Sequence, residues 1–126
     1  MVGIVIVSHS QKLAEGVVEI SKMMAAQAPI AAAGGLEDGS LGTSYEKICA
    51  AVEEVYSADG VIILMDMGSA VMTTEMVLED LDKPLVKMID CPLVEGAVLA
   101  AVESAGGQTL QEISERMEES RTTRKF

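Results

Sequence analysis

One histidine, His9, stands in the whole 126-residue chain, within the run Ser8-His9-Ser10. A lone imidazole can act as general base, metal ligand, covalent phosphoryl acceptor or structural residue. A metal ion would need more ligands, and Cys49 and Cys91 lie at no metal-binding spacing. Acyl transfer would need a nucleophile for His9 to activate. Ser8, Ser10, Ser69 and Cys91 are available, but none sits in a GxSxG-type turn. Covalent phosphorylation remains. A neutral ring nitrogen attacks phosphorus, while a carboxylate on the other nitrogen fixes the tautomer and balances the developing positive charge. Asp66, in Asp66-Met67-Gly68-Ser69, can be that carboxylate. Gly68 and Ser69 then open a helix whose free N–H groups would cradle phosphoryl oxygens. Such a dipole end contributes only about 0.3–1 kcal/mol when exposed, which suits a group that must be passed on. The blander alternative makes His9 a surface residue and Asp66 and Ser69 mere helix caps.

The elements that must position these residues follow from the apolar patterning. Val2–Val7 and Val61–Met65 lack polar alternation, which predicts parallel strands covered on both faces, and Leu85–Ile89 is a further strand with Asp90 and Cys91 at its end. Ile30–Ala33, closed by Gly34-Gly35, is a short strand. Ser8 with Gln11 fits a capping box that would put His9 in the first helical turn, with Ser10 as the rival cap. Leu13, Val17, Ile20 and Met24 are the expected inner stripe of that helix. A second helix is expected to open on the box Thr43/Glu46, with Ile48, Val52 and Val55 inward. A third is expected to be capped by Ser69 and to run to about Leu81. Pro92 suits the first position of a fourth, and Thr109/Glu112 cap a fifth with Leu110, Ile113 and Met117 on one face. That last stripe fits packing at home or across a dimer equally well. The basic tail from Arg121 to Lys125 is expected to fray.

Together these predict an α/β fold, doubly wound, with a mainly parallel four-stranded sheet of order 2-1-3-4 and helices on both faces. In that order the first and third strands are neighbours and the switch point lies between their carboxyl ends. His9 and Asp66 sit at those two ends, so topology alone brings imidazole and carboxylate to one crevice.

Composition limits the partners. Aromatic residues make up 2% of the chain with no Trp, so stacking platforms for single-stranded nucleic acid are absent. A net charge of −11 repels phosphate backbones and anionic lipid, which argues against nucleic acid and membrane. Hydrophobic content of 49% supports a single globular domain over residues 1–126. Its core must be built from Val, Ile, Leu, Ala and nine Met. The apolar start is too short for a spanning helix and has no basic flank, and two free thiols are the norm in a reducing compartment. A cytoplasmic location is expected.

The residues also resemble a known family. The strand ending in Ser8-His9-Ser10 and followed by Leu13-Ala14-Glu15-Gly16 is similar to the mannose-type IIA domains of the bacterial phosphoenolpyruvate:sugar phosphotransferase system. Asp66-Met67-Gly68-Ser69-Ala70 with Thr74 and Glu75, and the helix start Gly42-Thr43-Ser44, resemble in particular the phosphotransferase subunits of dihydroxyacetone kinases. The resemblance spans residues 1 to about 120. It implies that His9 is the phosphorylated histidine and Asp66 the aspartate on its other ring nitrogen. It also implies that Gly68 and Ser69 contact the phosphate, with Ser10 contributing. The donor would be the histidine-containing phosphocarrier protein HPr. The acceptor would be ADP held on the nucleotide-binding subunit of dihydroxyacetone kinase. The protein would be a homodimer with no cofactor and no metal of its own. The competing readings are a IIA component of a mannose-class sugar permease and a regulatory module in which His9 only hydrogen-bonds a small ligand.

Overall fold

The computed structural model describes residues 1–126. Nine elements follow one another: β1 (Gly3–Ser8), α1 (Gln11–Met24), β2 (Ile30–Gly34), α2 (Tyr45–Val55), β3 (Val61–Met65), α3 (Ser69–Asp80), β4 (Val86–Met88), α4 (Leu93–Ala105) and α5 (Leu110–Ser120). The four strands form one parallel sheet in the order β2-β1-β3-β4, the order expected from the sequence.

The unalternated strands are explained by the two layers they separate. Ile4, Ile6, Ile62 and Leu64 face α1, α4 and α5. Val5, Val7, Val61 and Ile63 face α2 and α3. Every residue of β1 is buried, and each fully buried branched side chain contributes about 1.5–3 kcal/mol. β1 and β3 pair in register with Val7 opposite Met65, so Ser8-His9 and Asp66 emerge side by side.

Several local expectations are corrected. The cap of α1 is Ser10, whose Oγ accepts from Leu13 N at 3.2 Å. His9 therefore lies just outside the helix, because Ser8 turns its hydroxyl toward Asp66 instead. Within α1 the buried residues are Ala14, Val17 and Ser21, whereas Leu13 and Ile20 are each 43% exposed and Met24 59%. The helix lies against Ala97, Ala100 and Ala101 of α4, and close approach selects its small residues rather than its large ones. α2 is capped by Ser44, not Thr43. α3 has Gly68 as its cap with no side-chain bond, since Ser69 is the first helical residue and aims its hydroxyl at His9. Pro92 is the cap of α4, one place before the predicted position. β4 shrinks to three residues at the sheet edge, with Leu85 left 41% exposed.

The Thr109/Glu112 capping box forms as expected. α5 packs at home, with Ile113 and Met117 fully buried in the α1/α4 layer.

Candidate active site

The crevice opens where the carboxyl ends of β1 and β3 part, and backbone geometry fixes its walls. At the end of β2, a Cβ on Gly34 would lie 2.5 Å from Ser10 O and 2.7 Å from Ala14 Cβ. Only glycine lets β2 pass this close beneath the turn that carries His9. The loop after β2 returns to that turn, where Gly42 N donates to His9 O at 2.8 Å.

Asp66 is the hub. Its Oδ2 accepts from Ser8 Oγ at 2.8 Å and from His9 N at 3.1 Å, and its Oδ1 lies 3.0 Å from His9 Nδ1. Burial pushes this carboxyl up. The bonds from Ser8, the His9 N–H and the His9 ring outweigh burial and hold it below its ordinary value. An ionised carboxylate can only accept, so Nδ1 carries the ring proton and Nε2 presents its lone pair. That lone pair meets Ser69 Oγ at 2.8 Å, with the hydroxyl donating. The His9 and Asp66 side chains are 23% and 12% exposed, so the ring is held yet reachable.

Ser69 starts α3, and the Ala70 and Val71 N–H groups turn back to Met67 O and Gly68 O. The N–H groups of Met67 and Gly68 have no partner in the chain. A Cβ on Gly68 would meet nothing within 4 Å, so the backbone there is open to an incoming group. An anion at this helix start would face N–H donors and the positive dipole end.

The predicted residues do not all converge equally. His9, Asp66 and Ser69 are in direct contact, and Gly68 lines the same opening. Ser10 stands beside them, but its Oγ is turned to its own helix as the α1 cap. Ser8, considered above as a nucleophile or cap, is instead fully buried. It donates to Asp66 and accepts from Ser10 N at 3.0 Å. Gly42 escaped sequence reasoning, because a loop glycine carries no mark of the carbonyl it will reach. A polar residue closing an otherwise apolar strand was the available signal for Ser8. Burial, then the nearby Asp90 charge, push the Cys91 thiol up to about 11, which disfavours the thiolate a nucleophile needs.

Beside Asp66 an open groove of about 340 Å³ runs between the ends of β3 and β4, lined by Met65, Met67, Val71, Met88 and Cys91. The larger concavity, about 490 Å³, lies between α4 and the C-terminal tail near Arg116, Arg124 and Lys125, and His9, Asp66, Gly68 and Ser69 do not line it. No three His, Cys, Asp or Glu side chains are grouped to hold a metal ion. No helix is long and apolar enough to cross a membrane.

Fold and site together define a doubly wound α/β domain that presents one carboxylate-oriented imidazole at its switch point. Residues 3–114 match the family described as the fructose IIA component of the PTS system, and the chain belongs to that family. It is 40% identical over 116 residues to the PTS-dependent dihydroxyacetone kinase phosphotransferase subunit DhaM of Lactococcus lactis, covering 92% of this chain and 93% of that one. It is likewise 40% identical over 120 residues to the phosphoryl donor subunit DhaM of the PEP-dependent dihydroxyacetone kinase of Escherichia coli. There the match covers 90% of this chain but only 25% of the longer relative. A Listeria innocua protein, named as the corresponding subunit of dihydroxyacetone kinase 2, is 43% identical over 108 residues, covering 82% of this chain and 86% of its own. Among solved structures, a protein described as of unknown function superposes with a TM-score of 0.84 at 28% identity, covering 100% of this chain and 99% of its own.

Proposed function

We propose that the protein is a phosphohistidine carrier. It accepts a phosphoryl group on His9 Nε2 from HPr and passes it to ADP bound on the nucleotide-binding subunit of a dihydroxyacetone kinase. The observation that carries this reading is the two-sided hold on the ring, with Asp66 on Nδ1 and the Nε2 lone pair directed at the open helix start. The names of the relatives support the recipient.

In the first step the Nε2–P bond forms as the donor's N–P bond breaks, and the donor nitrogen recovers its electron pair. The His9 ring gains positive character, which the Asp66 carboxylate balances through Nδ1–H. Ser69 Oγ and the N–H groups at the start of α3 are the donors for the phosphoryl oxygens. In the second step a terminal oxygen of the ADP β-phosphate attacks phosphorus, the Nε2–P bond breaks, and His9 regains its lone pair. No Lys or Arg bonds His9, Asp66 or Ser69 or lines the groove beside Asp66, so a polyphosphate acceptor must be positioned by the partner.

The test is labelling. Incubation with phosphoenolpyruvate and the general phosphotransferase proteins should add one acid-labile, alkali-stable phosphate, and His9→Ala should abolish it without unfolding the protein. The labelled protein should convert ADP bound on the kinase subunit to ATP and react poorly with free ADP. Labelling of the His9→Ala variant would overturn the carrier reading, and transfer only to a mannose-class permease would overturn the recipient.

A further inference from the structure

We propose that Thr43 and Thr73 form a clasp that positions His9 for phosphoryl transfer by holding α3 against the loop that supports the His9 backbone. The inference rests on His9 being the phosphoryl carrier.

The hydroxyls of Thr43 and Thr73 share a hydrogen bond of 3.0 Å in a half-buried position. Thr73 lies one helical turn beyond Ser69, on the same side of α3. Thr43 directly follows Gly42, whose N–H holds the His9 carbonyl. The contacts therefore close a ring. It runs from the His9 backbone to Gly42 and Thr43, across to Thr73, along α3 to Ser69, and back to His9 Nε2. Helical threonines commonly turn their hydroxyl to the carbonyl one turn back, and the next residue does so, with Thr74 Oγ1 donating to Ala70 O at 2.8 Å. Thr73 instead reaches across to the loop. The other side-chain hydrogen bond onto α3 from just beyond this loop, Tyr45 at the start of α2 to Asp80, lies at the far end of α3, and between the two bonds α2 packs on α3 through apolar side chains.

The clasp matters most once the carrier is loaded. Phosphorus and the Ser69 hydroxyl cannot share the single Nε2 lone pair, so loading breaks the bond that joins the ring to α3. Thr43–Thr73 is then the hydroxyl bond that keeps the two walls in register at this end of the helix, with the phosphoryl group between them.

The experiment is a double-mutant cycle with Thr43→Val and Thr73→Val, which keep the side-chain shape and remove the hydroxyl. Each single variant should lower the single-turnover transfer rate about 3- to 10-fold, the size of one neutral hydrogen bond, with the KM for the donor unchanged. The double variant should be no slower than either single one, and Thr→Ser at either position should restore the rate. Independently of transfer, amide exchange at Gly42 should quicken and the ¹⁵N shift of His9 Nε2 should move. The Nδ1 proton should remain on the ring. Additive losses, parental rates, or a raised KM at constant turnover would each overturn the clasp. Thr73→Ala stands in if a valine variant fails to fold. Should the parent protein itself refuse the label, the carrier reading falls, while Gly42 exchange and the His9 nitrogen shifts still decide whether the clasp holds the ring.

Discussion

Asp66→Asn tests the site most directly, because the surrounding backbone dictates how the amide must sit. Asp66 Oδ2 accepts from His9 N at 3.1 Å, and a main-chain N–H can only donate. An asparagine must therefore turn its carbonyl oxygen to that N–H and to Ser8 Oγ. This leaves its NH₂ facing His9 Nδ1 across the 3.0 Å contact. Nδ1 becomes the acceptor, the ring proton moves to Nε2, and the nitrogen that should attack phosphorus loses its lone pair. The charge that balances the phosphorylated ring is lost as well. Reversal of an orienting carboxylate elsewhere costs about 10²–10⁴-fold, or roughly 3–5 kcal/mol in the barrier at about 1.4 kcal/mol per tenfold. Rapid-quench transfer from the phosphorylated donor should show a loss in that range. The ¹⁵N spectrum of the variant should show Nε2 protonated. A rate within about threefold of the parent, or a ring still protonated at Nδ1, would refute the reasoning and reduce Asp66 to a helix-start residue.

Three further outcomes follow from the same contacts. Because the folded Asp66 carboxyl is held below its ordinary value of 3.8, its ionised form stabilises the fold above that pH. The stability gap between parent and Asp66→Asn, measured by denaturant titration, should be full above about pH 5 and shrink as pH falls through and below 3.8. A gap that widens in acid would contradict the sign. Ser69→Ala should still be labelled at His9 but transfer about 3- to 10-fold more slowly, since one hydrogen bond is removed and the Asp66 hold on the ring remains. A loss as complete as that of His9→Ala would give Ser69 a larger part than the geometry supports. Met117→Ala should destabilise the protein by about 2–5 kcal/mol, since the side chain is fully buried in its own domain. A variant that unfolds like the parent but changes oligomeric state would place α5 at an interface instead.

What the amino-acid order determined by itself is the frame. Two apolar runs without polar alternation, Val2–Val7 and Val61–Met65, demand strands covered on both faces, and alternation of four strands with helical segments demands parallel connections. Parallel connections of one hand leave few strand orders, and the simplest puts the ends of β1 and β3 side by side. His9 and Asp66 were therefore legible as partners from chain position alone. What only the tertiary structure decided is which hydroxyl does what. Ser8, Ser10, Thr43, Ser44 and Ser69 are all good helix caps by type. Ser10 and Ser44 cap, while Ser8 is drawn to Asp66, Ser69 to His9 and Thr43 to Thr73. Those bonds join residues about 30 to 60 positions apart, and local propensity carries no information about partners at that range. The inner face of α1 was hidden for a related reason. Hydrophobic patterning ranks Leu13, Ile20 and Met24 above Ala14 and Ser21, but α4 presents a surface of alanines. Two helices that meet over such a surface come close enough to bury the small residues and turn the large ones outward.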